Sequence, residues 1–143
     1  SIFFIGRNLD YAVAMEGSLK LKEISYIHSE AYAGGELKHG TISLIEPGTL
    51  VCTLATCDRL IEKIKSNAEE VKARGAYLLA VAVEGDERLA GIADAIFYVP
   101  KTLPWLQPSL TVIPLPLFAY YVASQKGCSI DQPKNLAKSV TVE

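Results

Sequence analysis

Four short, largely apolar runs constrain this chain more than any other feature. Ile2–Ile5, Leu50–Ala55 and Tyr77–Val83 read as buried strands, and Ala95–Val99 as a fourth strand. Turn residues bound them, among them Gly6 and Glu46-Pro47-Gly48. Between them lie stretches of helical period. Asp58 is positioned to cap a helix over about 59–74; its Leu60, Ile61, Ile64, Ala68 and Val71 share a face, and Gly75 ends it. Strands alternating with helices across short loops predict an α/β fold with a parallel sheet covered on both faces. With 143 residues, no internal repeat and no flexible linker, one domain accounts for the chain.

The remaining elements follow the same logic. A first helix is expected from near Tyr11 to about Tyr32, capped by Asn8 or Asp10 and ended by Gly34-Gly35. Residues 86–93 predict a short helix or turn, and Pro100–Pro108 a proline-rich loop around Trp105. A helix over about 109–126 should be interrupted or kinked by Pro114 and Pro116 and stopped by Gly127. The opening SIFFIG reads as a strand already in progress, so the chain is expected to be a piece of a longer one.

Composition excludes several classes. Half of the residues are hydrophobic and 21% are charged, which suits a folded domain. A net charge of -2 gives no basic field for nucleic acid or for a membrane surface. Three cysteines are too few and too odd in number for a secreted disulfide scaffold, so a reducing, cytoplasmic setting is expected. No apolar run has the length of a membrane span, and the N-terminus lacks the basic segment of a signal peptide. The turn IGRNLD is neither a Walker loop nor a dinucleotide fingerprint, and there is no nucleophile elbow.

The residues left to carry chemistry are carboxylates, lysines and a histidine. On the first helix Glu16, Lys20 and Glu23 fall at i, i+4 and i+7 and form one stripe. Two readings stand: a solvated ion-pair face, or a site. Ala12, Val13, Met15, Leu19, Ile24, Tyr26 and Ile27 frame the stripe, while Ser18, Lys22 and Ser25 mark the more weakly hydrophobic side. Charges framed by apolar groups are costly to bury unless paired or used, and partial desolvation raises a glutamate toward the range useful for proton transfer.

His39 lies in the loop GGELKHG, where glycines allow close approach to a ligand; the alternative is a solvated, idle histidine. His28 and Glu30 suggest a metal pair, but no further ligands stand at a standard spacing, so neither metal nor cofactor is expected. Cys52 and Cys57 read as core thiols. The tail DQPKNLAKSVTVE opens on a turn and closes on Val140, Thr141 and Val142, apolar anchors around Lys138. A docked lysine can form an imine with a carbonyl. Together the set suits proton transfer next to a carbonyl, as in aldose–ketose isomerisation.

The stretch MEGSLKLKEISYIHSEAYAGGELKHG (Met15–Gly40) and the tail DQPKNLAKSVTVE closely resemble the glutamine–fructose-6-phosphate aminotransferase (isomerising) family, the glucosamine-6-phosphate synthases. Within it the chain is similar to the second of two C-terminal sugar-isomerase (SIS) lobes, with 1–143 as a single lobe; the likeness runs over nearly the whole chain and is weakest near 100–116. The resemblance implies a flavodoxin-like five-stranded parallel sheet, the fifth strand falling near Ile42–Ile45 or one element being supplied differently. It implies a parent enzyme that turns fructose 6-phosphate and glutamine into glucosamine 6-phosphate and glutamate, with a glutaminase domain and a first SIS lobe elsewhere in the chain. Lys138 matches the lysine that forms a Schiff base with the open-chain ketose, and Glu23 the carboxylate that moves a proton between C1 and C2. His39 matches the ring-opening histidine that reaches the site from the neighbouring subunit of a homodimer. Lys20 matches a lysine assisting at the sugar hydroxyls; the Ala137 backbone lines the site, and Glu16 orients Lys20.

The family binds the sugar phosphate through a Ser/Thr-rich loop of the first lobe, and no such cluster occurs here. The 143 residues alone are therefore expected to be inactive. Two alternatives are a plain phosphosugar isomerase lobe, which has no need of the tail lysine, and a non-catalytic sugar-phosphate-binding module.

Overall fold

Each of the four apolar runs forms a strand, and a fifth strand lies where the sequence suggested helix. The computed structural model describes residues 1–134. In chain order the elements are β1 (Ile2–Gly6), α1 (Leu9–Ser25), β2 (Ser29–Ala33), β3 (Leu50–Ala55), α2 (Ile61–Lys72), β4 (Tyr77–Val83), β5 (Ala95–Val99), α3 (Gln107–Thr111) and α4 (Pro114–Gln125). All strand pairs are parallel and the sheet order is β2-β1-β3-β4-β5. In β1, Phe4 sits opposite Ala31 on one side and Cys52 on the other. This is the flavodoxin-like doubly wound order, with its switch point between β1 and β3.

Two buried clusters cover the sheet. On one face α2 and the segment between β2 and β3 bring Ile61, Ile64, Val71, Leu37 and Ile45 onto Phe3, Ile5, Val51 and Leu78. On the other, α1 and α4 bring Val13, Ala14, Leu21, Leu115 and Ala119 onto Phe4, Cys52, Leu54 and Val81.

Several expectations are corrected. The first helix ends at Ser25, not near Tyr32: Tyr26 takes a left-handed conformation (φ 60°) and donates its N–H to the Lys22 carbonyl. Ser25 Oγ bonds back to the Leu21 carbonyl at 2.6 Å, and Ser29 Oγ donates to the Ser18 carbonyl at 2.9 Å. The chain then turns into β2, the fifth strand. Ile42–Ile45 is no strand; Thr41–Leu44 is a 3-10 turn. Neither Asn8 nor Asp58 makes a side-chain capping bond; Asp58 accepts from Arg88 at 2.6 Å instead. Asp10, in the first turn of α1, reaches across to β3, accepting from the Thr56 N–H (2.8 Å), the Thr56 hydroxyl (2.6 Å) and the Cys57 N–H (3.1 Å). Near Pro114 the last helix is two helices, and Pro114 opens the second.

The packing of α1 runs opposite to the sequence reading. Its serine side faces inward: Ser18 and Ser25 are buried with Ala14, Gly17 and Leu21. Met15 and Leu19 are exposed, at 46% and 42%. Small residues win the inner face because α1 lies close to β1 and α4. A Cβ on Gly17 would stand 2.7 Å from Leu115 Cδ1 and 3.2 Å from Phe4 Cε1. The serines satisfy each other there, their hydroxyls 2.9 Å apart.

Gly17→Val should lower the unfolding free energy by about 1–3 kcal/mol through overpacking, read as a lower midpoint in urea at unchanged slope. Burial pushes the Asp10 carboxyl above the 3.8 of an ordinary aspartate, although its hydrogen bonds to Thr56 and Cys57 pull the other way. A raised folded value adds stability below the unfolded value and loses it as pH rises through the folded one. The stability of the wild type relative to Asp10→Asn should therefore shrink between pH 4 and 7 in paired urea titrations; a growing difference would contradict the burial argument.

Candidate active site

Helix α1 starts at the carboxyl edge of the sheet and runs back to the amino edge, where β2 begins. Glu23, in its last turns, is therefore about 21 Å along the helix axis from Leu9, at 1.5 Å per residue. The outward turn of Glu16, Lys20 and Glu23 follows from burial of the small-residue side. Lys20 Nζ lies 2.8 Å from Glu23 Oε2 and 3.5 Å from Glu16 Oε1. Glu23 is the most shielded of the three, its side chain 24% exposed. The hydrogen bond that Lys20 donates to Glu23, helped by both carboxylates' charge, raises the Lys20 ammonium above its ordinary value against a smaller effect of burial. Lys20 is thus a fixed cation at neutral pH, able to donate hydrogen bonds to a developing oxyanion. The exposed Met15 and Leu19 flank this group.

The end of α1 also receives the chain that follows α4. Lys126 Nζ donates to the Ser25 carbonyl at 2.7 Å, bringing a cation to the negative end of the α1 dipole. The Lys134 N–H donates to the Tyr26 hydroxyl at 2.7 Å, and its ammonium stands 5.3 Å from the centroid of the same ring. Ala137 and Lys138 lie outside the described residues. The route to them starts on Tyr26, three positions past Glu23.

His39 is elsewhere. It ends the 3-10 turn Leu37–His39, which follows β2 at the carboxyl edge, and the adjoining Leu37 packs on the sheet face opposite α1. Its side chain is 72% exposed, and its Nδ1 lies 2.6 Å from Glu36 Oε2. A carboxylate on Nδ1 favours the tautomer with its proton there, which leaves Nε2 as the basic nitrogen facing outward. The structure thus brings Glu23 together with Lys20 and Glu16 but does not bring His39 to them.

The sequence reading missed Glu36, although the i, i+3 spacing of Glu36-Leu37-Lys38-His39 carried the signal. It also missed Tyr26, which sat inside an apparently continuous helix, and a cavity of about 1090 Å³ at the carboxyl edge. That cavity occupies the crevice usual for this topology, and Asp10, Thr56, Asp86, Arg88 and Trp105 help to line it. Thr56 is committed to Asp10 and to the Thr111 hydroxyl, and Arg88 to Asp58 and Asp86 at 2.6 Å each. His28 and Glu30 form an exposed pair at 3.4 Å. Cys52 is the expected core thiol, pushed up to about 12 by burial; Cys57 is only partly buried and lines the cavity.

Comparison with known proteins agrees with this geometry. The SIS domain family matches residues 1–125. A glutamine–fructose-6-phosphate aminotransferase [isomerizing] of Caldanaerobacter subterraneus subsp. tengcongensis is 65% identical over 142 residues, which cover 99% of this chain and 23% of that protein. The same-named protein of Methanosarcina acetivorans is 52% identical over 143 residues, covering all of this chain and 23% of its own length. The chain thus spans about a quarter of these relatives. Among solved structures, the C-terminal domain of glucosamine-fructose-6-phosphate aminotransferase from Francisella tularensis superposes with a TM-score of 0.84 at 38% identity, over 92% of this chain and 37% of the other. A glucosamine-6-phosphate deaminase from Thermotoga maritima gives 0.79 at 30% identity, over 99% of this chain and 40% of the other. The five-stranded parallel sheet, its flanking helices and the match over residues 1–125 together establish that this chain belongs to the SIS domain family.

Proposed function

We propose that this chain is the C-terminal isomerase lobe of a larger enzyme that makes glucosamine 6-phosphate from fructose 6-phosphate and glutamine-derived ammonia. One observation carries the reading: the tail enters its last residues from a dock on Tyr26, one helical turn past Glu23. Four residues separate Lys134 from Lys138, a span of at most about 14 Å. On this reading Lys138 supplies the amine that works with the Glu16–Lys20–Glu23 cluster.

The chemistry follows from these groups. Lys138 adds to the C2 carbonyl of the open-chain ketose and water leaves, giving an imine. Ammonia displaces the lysine from C2 and regenerates its amine. Glu23 takes a proton from C1 and delivers one to C2, while the C1 hydroxyl proton passes to the imine nitrogen, leaving an aldehyde at C1 and an amine at C2. An imine accepts the electron pair from C1 more readily than a ketone does. Lys20, held protonated by Glu23, donates to the C1 oxygen as charge builds there. Glu16 holds Lys20 in place, and the Ala137 backbone lines the sugar.

His39 opens the sugar ring, with Glu36 fixing its tautomer. Its position supports action across a subunit boundary. Glu23 and His39 lie at opposite edges of the sheet, so a second copy of the chain is the natural source of the histidine, and we infer a homodimer. The phosphate is held by the first SIS lobe: the turn after β1 here is Gly6-Arg7-Asn8, with no hydroxyl donors. Three free thiols suit a cytoplasmic setting.

In the full-length enzyme, borohydride should fix labelled fructose 6-phosphate to the wild type and not to Lys138→Arg; label on that variant would sink the assignment. Glu23→Gln should cut kcat by about 10²–10⁴-fold while still trapping label. Unchanged turnover of Glu23→Gln would favour a non-catalytic binding module. The 143-residue chain alone should form no glucosamine 6-phosphate from ammonia and fructose 6-phosphate; robust synthesis would overturn the division of labour between lobes.

A further inference from the structure

His39 presents a difficulty that the rest of the loop resolves. Its side chain is 72% exposed, yet it must meet a sugar held largely by other elements. An exposed histidine on a free loop would visit that geometry rarely. Here the backbone on its N-terminal side is fixed at three points.

The first is Gly34, whose N–H donates to the Gly6 carbonyl at 2.8 Å. It passes directly under Arg7 and Asn67: a Cβ there would stand 2.5 Å from Asn67 Oδ1 and 3.1 Å from Arg7 Nε. Arg7 Nε donates to Asn67 Oδ1 at 3.1 Å, and Asn67 is buried. The second is Leu37, 1% exposed in the core on the α2 side. The third is Lys38, the residue before His39, whose ammonium lies 2.8 Å from Glu70 Oε1. Glu70 is held in turn by Ser66 (3.2 Å) and by Asn67 Nδ2 (3.4 Å). Burial pushes the Glu70 carboxyl up, but Lys38, Asn67 and Ser66 together outweigh it and keep it below the usual range. Arg7, Asn67, Glu70 and Lys38 thus form one network from the end of β1, through α2, to the peptide that carries His39.

We propose that Arg7, Asn67, Glu70 and Lys38 are positioning residues for His39, a clamp that holds the 34–39 loop against α2 so that an exposed imidazole is presented in one orientation. The proposal rests on the reading of His39 as the ring-opening group. The ring nitrogen touches none of the four, so their effect is through the backbone. A misplacement of about 1 Å can cost as much as 10²-fold in rate, and a loosened loop produces displacements of that size.

The test needs a readout that a fold defect would not move. 5-Deoxyfructose 6-phosphate lacks the hydroxyl that closes the furanose, so it is an open-chain ketone from the start. In the full-length enzyme, His39→Asn should lower kcat/KM for fructose 6-phosphate by about 10²-fold and leave the deoxy substrate within about threefold. Lys38→Met and Asn67→Ala should lower kcat/KM for fructose 6-phosphate by about tenfold while staying within about twofold on the deoxy substrate. Lys38→Arg should restore turnover. Lys38 is mostly exposed, so Lys38→Met decides the matter even where Asn67→Ala fails to fold. Equal losses on both substrates, or no loss, beside a selective His39→Asn would overturn the clamp alone. A His39→Asn variant that loses both substrates alike would overturn the ring-opening reading, and the clamp with it.

Discussion

The arrangement depends on how closely α1 lies against the sheet and α4. Gly17, with Ala14 and Ser18 beside it, permits an approach that a larger residue would block, as the 2.7 Å gap to Leu115 requires. Once that side is inside, helical geometry leaves no choice for the rest. Glu16, Lys20 and Glu23 must face outward, and Met15 and Leu19 must stand exposed around them. The same contact brings the end of α4 to the end of α1, where Lys126 and Lys134 fasten the chain onto Ser25 and Tyr26. The exposed charged cluster and the docking of the chain after α4 are thus two results of one packing decision.

That decision explains what the sequence could and could not disclose. β1, β3 and β4 were legible because burial on both faces leaves a largely apolar run. The two edge strands differ: β5 keeps an apolar run although Phe97 and Tyr98 are exposed, whereas β2, Ser29-Glu30-Ala31-Tyr32-Ala33, is only half covered and mixes polar with apolar residues. Nor did the break at Tyr26 announce itself, since the left-handed residue there is a tyrosine rather than a glycine. The inner face of α1 was misread because hydropathy ranks Met and Leu above Ser and Gly, whereas a close helix contact selects for size. The stripe survived that error, because its spacing fixes which residues share a face without saying whether the face is wet.

Glu23 and His39 illustrate a second limit. They lie in one motif of the sequence, sixteen positions apart, and a linear reading treats them as neighbours. The fold sends them to opposite edges of the sheet, because β2 carries the chain back from the end of α1 to the carboxyl edge. A helix and a following parallel strand return the chain to the level at which it started. Within one copy of the chain, two groups flanking such a strand are held apart by its full length.

The carboxyl-edge cavity makes the converse point. Topology puts a crevice there, and crevices at this position are where doubly wound proteins bind ligands. In this lobe several of the groups that line it are already engaged. Asp58 and Asp86 hold Arg88, and Asp10 takes three bonds from Thr56 and Cys57. A guanidinium gripped by two carboxylates offers little positive field to a phosphate, and a threonine bonded to a buried aspartate has no spare donor. The candidate chemistry has instead collected on the outer face of α1, where the ammonium of Lys20 is fixed but solvent still reaches it. Much of the polar lining of the crevice is thus held in internal pairs, while the Glu16–Lys20–Glu23 cluster stands on the outer face of α1.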